Sequence, residues 1–176
     1  SETWAMPDAQ AVARDIEALG YGSLFIPEIG FKDALVESAA FLSATERLVV
    51  GTGIANIHVR VPSTAEVAGR TLNNLFPRRF ILGLGVSHAP LVEGNMGGSY
   101  AKPLATMRTY LEKMAAVPEQ IEPGSGRPVR LLAALGPKMI ELSGTDADGA
   151  HPYLVLPDQT RVTRDILGPD KWIVSE

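Results

Sequence analysis

The 176-residue chain has no cysteine, no long apolar run and no excess of positive charge. The lack of cysteine excludes disulfides, thiolate metal sites and a cysteine nucleophile. No segment approaches the ~18 to 20 consecutive apolar residues that a membrane span needs, and the first ten residues lack the basic flank and apolar core of a signal peptide. From the sequence we therefore expect a cytoplasmic protein with no membrane partner.

The charge balance narrows the class of ligand. Lys and Arg number 16 against 20 Asp and Glu, the formal net charge is -4, and the basic residues are scattered along the chain. Because nucleic-acid binding needs clustered basic residues, we expect no nucleic-acid partner. An apolar content of 45% suffices for one core, so we predict a single domain over residues 1–176 that binds a small molecule.

Apolar strand segments alternate with amphipathic helix segments along the whole chain. Six strands are predicted at 23–26, 48–55, 80–86, 129–135, 149–156 and 171–174. Strict alternation with apolar strands indicates a parallel sheet covered by helices. In the helix after the second strand, Ser63 followed by Glu66 predicts a capping box.

Glycine and polar residues recur at the ends of most of these strands. This pattern favours a (β/α)8 TIM barrel over a doubly wound open sheet, whose phosphate turn would follow the first strand. Eight strands close such a barrel, so we expect about two to be missing, one before Trp4 and one after Glu176. The fold prediction is an incomplete α/β barrel. Open strand edges would favour a homodimer or higher homo-oligomer.

Five segments together resemble the luciferase-like superfamily of flavin-dependent and deazaflavin-dependent oxidoreductases. They are IEALGYGSLFIPE (16–28), ERLVVGTGIANIHVRVPSTAE (46–66), NLFPRRFILGLGVSH (74–88), LLAALGPKMIEL (131–142) and DADGAHPYLVLPDQT (146–160). The GLGVSH, AALGP and DGAHPY motifs are similar to the coenzyme F420-dependent branch. The resemblance implies a barrel of bacterial luciferase type and an oxidoreductase that transfers a hydride between F420 and a small organic substrate. Two alternatives stay open: an FMN-dependent monooxygenase, and a truncated non-catalytic cofactor-binding or assembly relative.

Glycines inside two of the strands are candidates for the cofactor site. In GTGIAN they indicate a bulge, which either serves barrel curvature alone or, as the resemblance implies, carries a non-prolyl cis peptide at Gly53 and Ile54 behind the cofactor ring. In FILGLGVSH, the glycines at 83 and 85 either pack the barrel interior or let a planar ring approach the backbone. Gly85 and Ser87 are therefore candidate cofactor contacts.

The AALGPK turn ends a strand and opens a helix. Free N–H groups of Gly136, Lys138 and Met139 would form an anion site there, although such a turn also serves as plain capping. The resemblance places the cofactor phosphate near this turn, so the candidate residues are Ala134, Leu135, Gly136, Pro137 and Lys138.

Polar residues at other strand ends are candidates for catalysis and substrate binding. His88 follows the strand 80–86 and is either a substrate hydrogen-bonding or proton-donating group, or a loop histidine bonded to backbone. His151 and Tyr153 either line a substrate pocket or are satisfied in the core. Glu28 and Asn56 are further pocket candidates. The loop 90–102 is either a lid or a plain mobile loop.

Overall fold

The computed structural model describes residues 3–95, 98–119 and 126–176. Its helices are α1 (Met6–Ala18), α2 (Ala34–Ala44), α3 (Pro62–Leu75), α4 (Ala89–Asn95), α5 (Pro103–Ala115), α6 (Pro137–Thr145) and α7 (Pro157–Leu167). Its strands are β1 (Ser23–Ile26), β2 (Val49–Thr52), β3 (Ala55–Asn56), β4 (Phe80–Gly85), β5 (Val129–Leu132), β6 (Gly149–Ala150) and β7 (Trp172–Ile173). Helices and strands alternate as the sequence predicts, except that β3 follows β2 and α5 follows α4.

All pairings in the sheet are parallel. The strand order is β1-β2-β4-β5-β6-β7, with β3 pairing β4 beyond the end of β2. Strands β2 and β3 are thus two halves of one strand position, and the described residues supply six such positions. The aromatic ring of Phe25 on β1 stacks on His151, directly after β6, with ring centroids 5.0 Å apart. The sheet is therefore curled, and the predicted incomplete TIM barrel is confirmed.

The core lies mainly between the sheet and its covering helices. Strand β4 is buried along its full length, and α5 contributes four buried side chains to the same layer: Met107, Tyr110, Leu111 and Met114. A smaller apolar cluster of Ala134, Ile140 and Ala150 packs with α7 side chains. Across the described residues, no helix is long and apolar enough to cross a membrane.

The predicted capping box at Ser63 is wrong. Helix α3 begins at Pro62, with Val61 at the N-cap and no side-chain cap. Proline suits the first helical position because its fixed φ is already helical and it has no N–H to leave unpaired. Glu66 instead accepts hydrogen bonds from Arg70 on the same helix and Arg130 on β5.

Two further element predictions need correction. The strand predicted at 149–156 ends at Ala150, because Pro152 has no N–H to donate and Leu154 has a φ of 48° that a strand does not accommodate. The loop predicted after β4 contains helix α4 over its first part. Residues 96–97 of that loop and residues 120–125, between α5 and β5, lie outside the described residues.

Candidate functional site

The strand position formed by β2 and β3 is interrupted at Gly53 and Ile54. The peptide bond between them is cis, as the resemblance implied. The Gly53 N–H donates to the carbonyl of Ile26 at 2.7 Å, and the Thr52 hydroxyl donates to the carbonyl of Gly83 at 2.6 Å. The interruption is therefore held between both neighbouring strands.

The glycines of β4 are explained by packing within the protein. A Cβ on Gly83 would lie 1.9 Å from the backbone oxygen of Thr52, and one on Gly85 would lie 2.5 Å from the side chain of Ile54. The space beside both glycines is thus already filled by the neighbouring strand. This favours the packing interpretation over the approach of a cofactor ring to β4.

The ring of His151 faces the interrupted strand from the opposite side of the curled sheet. A Cβ on Gly53 would lie 2.8 Å from His151 Nε2. The residue is only 3% exposed, and its Nδ1 lies 2.7 Å from the Val174 carbonyl. That carbonyl can only accept, so Nδ1 carries a proton, and the neutral form of the ring has its lone pair on Nε2.

Among the residues that the structure describes, none is a hydrogen-bond partner of the His151 Nε2 atom. A carboxylate oxygen of Glu176 approaches to 3.5 Å but outside hydrogen-bond geometry, and this side chain is half-exposed. Buried polar atoms are nearly always hydrogen-bonded, so an exception calls for a partner. A ligand that displaced the Glu176 side chain would provide one.

A buried ion-pair cluster joins the carboxyl ends of β1 and β3. The Glu28 carboxylate is 4% exposed and accepts hydrogen bonds from the backbone N–H groups of Ala34 and Asn56 and from both terminal nitrogens of Arg60. Asp33, the N-cap of α2, also binds Arg60 at 3.0 Å. These contacts occupy Glu28 fully, which argues against its predicted contact with substrate.

The charges in this cluster stabilise each other. Burial opposes the charge on Arg60, but Glu28 and Asp33 outweigh it and raise the arginine pKa. Burial also acts to raise the pKa of Asp33, whereas hydrogen bonds from Val36 and Arg60 leave that pKa lowered. Tyr110 donates its hydroxyl to the Arg60 carbonyl, and burial raises the pKa of Tyr110 to about 12. The cluster positions the strand ends.

The AALGP turn follows β5 and opens α6 as the sequence predicts. Gly136 is the N-cap residue, no side chain caps the helix, and Pro137 follows directly. The N–H of Met139 donates to the Gly136 carbonyl at 3.0 Å, so the prediction that it is free is wrong. Among the residues with described positions, the N–H groups of Gly136 and Lys138 have no acceptor and are left for an anion. Ala134 is buried and Leu135 is exposed.

The remaining candidates form no hydrogen bond, ion pair or ring stack with His151 in the described ranges. His88 is exposed, and its carbonyl accepts the N–H groups of Leu91 and Val92 at the start of α4. Ser87 has a φ of 59°, and its carbonyl accepts the Tyr100 hydroxyl. Tyr153 is half-exposed. The catalytic role of His88 stays a prediction.

Sequence reasoning missed two contacts of this region. The stack of Phe25 on His151 joins residues far apart in the chain and has no local signal. The pairing of Arg60 with Asp33 did have a local sequence signal. An Asp directly before the apolar run of α2 is a typical N-cap, so Asp33 could have been placed at the start of a helix that follows a strand end.

The comparison with protein families agrees with this fold. The family model described as luciferase-like monooxygenase matches residues 3–167. The chain belongs to this family. Among its luciferase-like relatives, a Mycobacterium tuberculosis protein whose name places it with the coenzyme F420-dependent oxidoreductases is 30% identical, covering 80% of this chain and 49% of that protein.

Solved structures with the same luciferase-like fold include enzymes of both cofactor classes. An F420-dependent secondary alcohol dehydrogenase in complex with an F420-acetone adduct superposes with a TM-score of 0.78 at 15% identity, covering 98% of this chain and 64% of that one. The FMN complex of the oxygenating constituent of 3,6-diketocamphane monooxygenase from Pseudomonas putida superposes with a TM-score of 0.73 at 14% identity. The match covers 92% of this chain and 56% of that one. The luciferase-like chain spans about half the length of the curated relative it matches.

Proposed function

We propose that the protein is an F420-dependent oxidoreductase that transfers a hydride between the deazaflavin and a small organic substrate. The observation that carries the proposal is the buried imidazole of His151, whose unpartnered Nε2 faces Gly53. The name of the Mycobacterium tuberculosis relative supports F420 as the cofactor. When bound, the deazaflavin would supply the hydride donor or acceptor.

The residues present fit such a cofactor. The ring would lie against Gly53 and Ile54, where His151 Nε2 can accept a hydrogen bond from a ring N–H or a substrate hydroxyl. The phosphate would bind the N–H groups of Gly136 and Lys138 at the positive end of the α6 dipole. His88 would exchange a proton with the substrate.

Anaerobic titration of the protein with F420 and with FMN tests the choice of cofactor. We expect F420 to bind and FMN to bind more weakly. The His151→Phe variant keeps a ring to stack on Phe25 but removes both nitrogens, so it should fold while binding F420 at least about tenfold more weakly, the equivalent of one good hydrogen bond. Tight binding of FMN without binding of F420 would contradict the proposal.

The role of His88 needs a separate variant. His88→Gln should lower kcat by about 100-fold or more, the usual loss when a general acid or base is removed, while the Kd for F420 stays unchanged. An unchanged kcat would contradict a catalytic role for His88 and would identify it as a loop histidine.

An FMN-dependent monooxygenase is the second candidate function, because the camphane monooxygenase of the same fold was solved with FMN. The third is a luciferase-like relative that binds cofactor without catalysis. F420 binding without turnover of any alcohol or carbonyl substrate would favour the third.

A further inference from the structure

Two hydrogen-bond acceptors face each other at the carboxyl ends of β6 and β7, and they belong to His151 and Glu176. A carboxylate oxygen of Glu176 lies 3.5 Å from the Nε2 atom of His151. The neutral imidazole presents a lone pair at Nε2, because its proton is on the Nδ1 atom beside the Val174 carbonyl. An ionised carboxylate can also only accept. Two acceptors cannot bond to each other, so a donor placed between them would satisfy both.

The backbone holds Glu176 on the same face of the sheet as His151. The Glu176 N–H donates to the Pro152 carbonyl at 3.0 Å, so parallel pairing continues past the end of β7. Successive side chains of such a segment point to opposite faces. Ser175 points to the helices, since its hydroxyl oxygen lies 3.3 Å from that of Thr160 on α7. Glu176 therefore points to the inner face, towards His151.

The histidine is fixed, whereas the carboxylate can move. His151 is 3% exposed, stacks on Phe25 and donates its backbone N–H to the Leu132 carbonyl at 2.8 Å. The Glu176 side chain is 49% exposed. A tetrahedral nitrogen that donates two hydrogen bonds of about 2.9 Å holds its acceptors about 4.7 Å apart. The carboxylate thus has to swing outwards by only about 1 Å to admit such a nitrogen.

The negative charge of this pair is unbalanced. In the ranges that the structure describes, no lysine or arginine forms an ion pair with the Glu176 carboxylate. By contrast, Glu28 at the end of β1 is paired with Arg60. A positively charged donor suits the pair best, because hydrogen bonds between a cation and an anion are about twice as strong as neutral ones. A hydroxyl or a ring N–H has one hydrogen to give, so it would leave one of the two acceptors without a partner.

We propose that His151 and Glu176 together bind the ammonium group of a ligand, which donates one N–H to Nε2 and another to the carboxylate. Under the proposed function this ligand is the organic substrate, so the substrate carries an ammonium group as a recognition element. Nε2 is then occupied by the substrate and not by a cofactor N–H. The extension to the substrate rests on the proposed function, whereas the binding of an ammonium group does not.

Isopropylammonium tests the pair without any cofactor, and isopropanol at matched ionic strength is the neutral control of similar shape. The amine is protonated near neutral pH, since an alkylammonium resembles the lysine side chain. We expect isopropylammonium to shift the imidazole proton signals of His151 saturably in NMR titration. Isopropanol should bind at least about tenfold more weakly, because it lacks the charge and the second hydrogen.

Equal affinity for the amine and the alcohol would overturn the proposal. Absence of a saturable shift up to about 100 mM isopropylammonium would also overturn it, because that range reveals even the weak binding of so small a ligand. The nitrogen-15 spectrum of the imidazole gives an independent check. A proton on Nε2 of the free protein near neutral pH would contradict the proposal, since that atom could not accept.

Variants separate the pair from a general effect of charge. Glu176→Gln keeps the shape and removes the charge, so the Kd for isopropylammonium should rise by about tenfold. The matched control Glu112→Gln removes the same charge from an exposed position of α5 and should change the Kd by less than about twofold. An equal loss of affinity in both variants would overturn the proposal, because binding would then follow net charge alone.

The part of the histidine needs its own variant. His151→Phe, followed through the Glu176 amide signal, should also weaken isopropylammonium binding by about tenfold, the equivalent of one good hydrogen bond. Unchanged affinity would overturn the pair and leave the carboxylate alone.

The titrations with F420 and with isopropylammonium fail separately. If F420 does not bind while isopropylammonium does, the proposed function fails and the ammonium site stands. If F420 binds and isopropylammonium does not, the ammonium site fails and the proposed function stands.

Discussion

Single atoms decide which residues fit the interior of the curled sheet. Gly83 on β4 leaves no room for a Cβ, because the nearest atom would be the backbone oxygen of Thr52 at 1.9 Å. Backbone cannot rotate away as a flexible side chain can, so the strand itself would have to move.

Gly83→Ala should therefore lower the free energy of unfolding by about 3 kcal/mol or more. The matched control is Gly22→Ala, where a Cβ meets nothing within 4 Å and stability should stay equal or rise by up to about 1 kcal/mol. Urea unfolding of both variants followed by circular dichroism measures the difference. Equal stabilities would contradict the assignment of Gly83 to packing.

The ion pair of Glu28 and Arg60 is a second residue-level determinant, because its side chains are only 4% and 6% exposed. Arg60→Met removes one partner and leaves a buried carboxylate, so we expect a loss of about 3 to 5 kcal/mol. The double variant E28Q/R60M should lose less than the sum of the single changes. A double-mutant cycle, built from the denaturant midpoints of wild type, the two single variants and the double variant, measures these stability losses.

The control for Arg60 is Arg161→Met. Its ion pair with Asp158 has side chains 75% and 87% exposed, and such pairs contribute at most about 1 kcal/mol. If this variant loses as much stability as Arg60→Met, the effect is not one of burial.

At the scale of elements, Asp148 joins the segment before β5 to the start of β6. Its carboxylate accepts the backbone N–H of Arg130 and binds the guanidinium of Arg127. Burial acts to raise the pKa of Asp148, but these donors outweigh it and leave the pKa below its ordinary value. A lowered folded-state pKa means that ionised Asp148 stabilises the fold above the unfolded-state pKa of about 4.

The contribution of Asp148 should thus be lost as pH falls from about 4 through the lower folded-state pKa. Asp148→Asn should be less stable than wild type near pH 6, with the gap closing towards pH 3. Free energies of unfolding at several pH values measure this gap. The control is Asp170→Asn, an exposed position in the loop before β7. Its free energy of unfolding should equal that of wild type both near pH 6 and near pH 3.

The alternation of elements could be predicted from sequence because apolar periodicity is local. Six strand positions and the bounds of α6 follow from it. The start of α3 and the end of β6 could not be placed correctly, because Glu66 is bound by Arg130 from a distant strand and the φ of Leu154 has no sequence signal. The candidate site was also predictable only in part. Its turns could be predicted from glycine and proline, whereas the ion pair between Glu28 and Arg60 depends on the fold.

At the scale of the whole molecule, the sheet formed by the described residues has two open edges. The outer edges of β1 and β7 pair with no other strand in the described part of the chain. Unpaired edges are templates for association with other chains. Trp172 on β7 is 52% exposed and adds apolar surface at one of these edges.

We therefore expect self-association of the 176-residue chain at micromolar concentrations, in line with the homo-oligomer predicted from sequence. Trp172→Lys should shift the population towards monomer, because a charge on an edge strand opposes pairing. Val162→Lys adds the same charge at a 48% exposed position of α7 and should leave association unchanged. Light scattering after size exclusion gives the masses, and a wild-type monomer at all concentrations would contradict the expectation.

The stack of Phe25 on His151 spans the curled sheet with ring planes 21° apart. The magnetic field of the phenylalanine ring shields nuclei above its face, so the imidazole protons of His151 should resonate upfield of ordinary histidine signals. The chain has 3 histidines, which makes this resonance simple to assign with His151→Phe. A movement of β1 away from β6 would return it to the ordinary position, so a one-dimensional proton spectrum can report the curvature of the sheet without any added label.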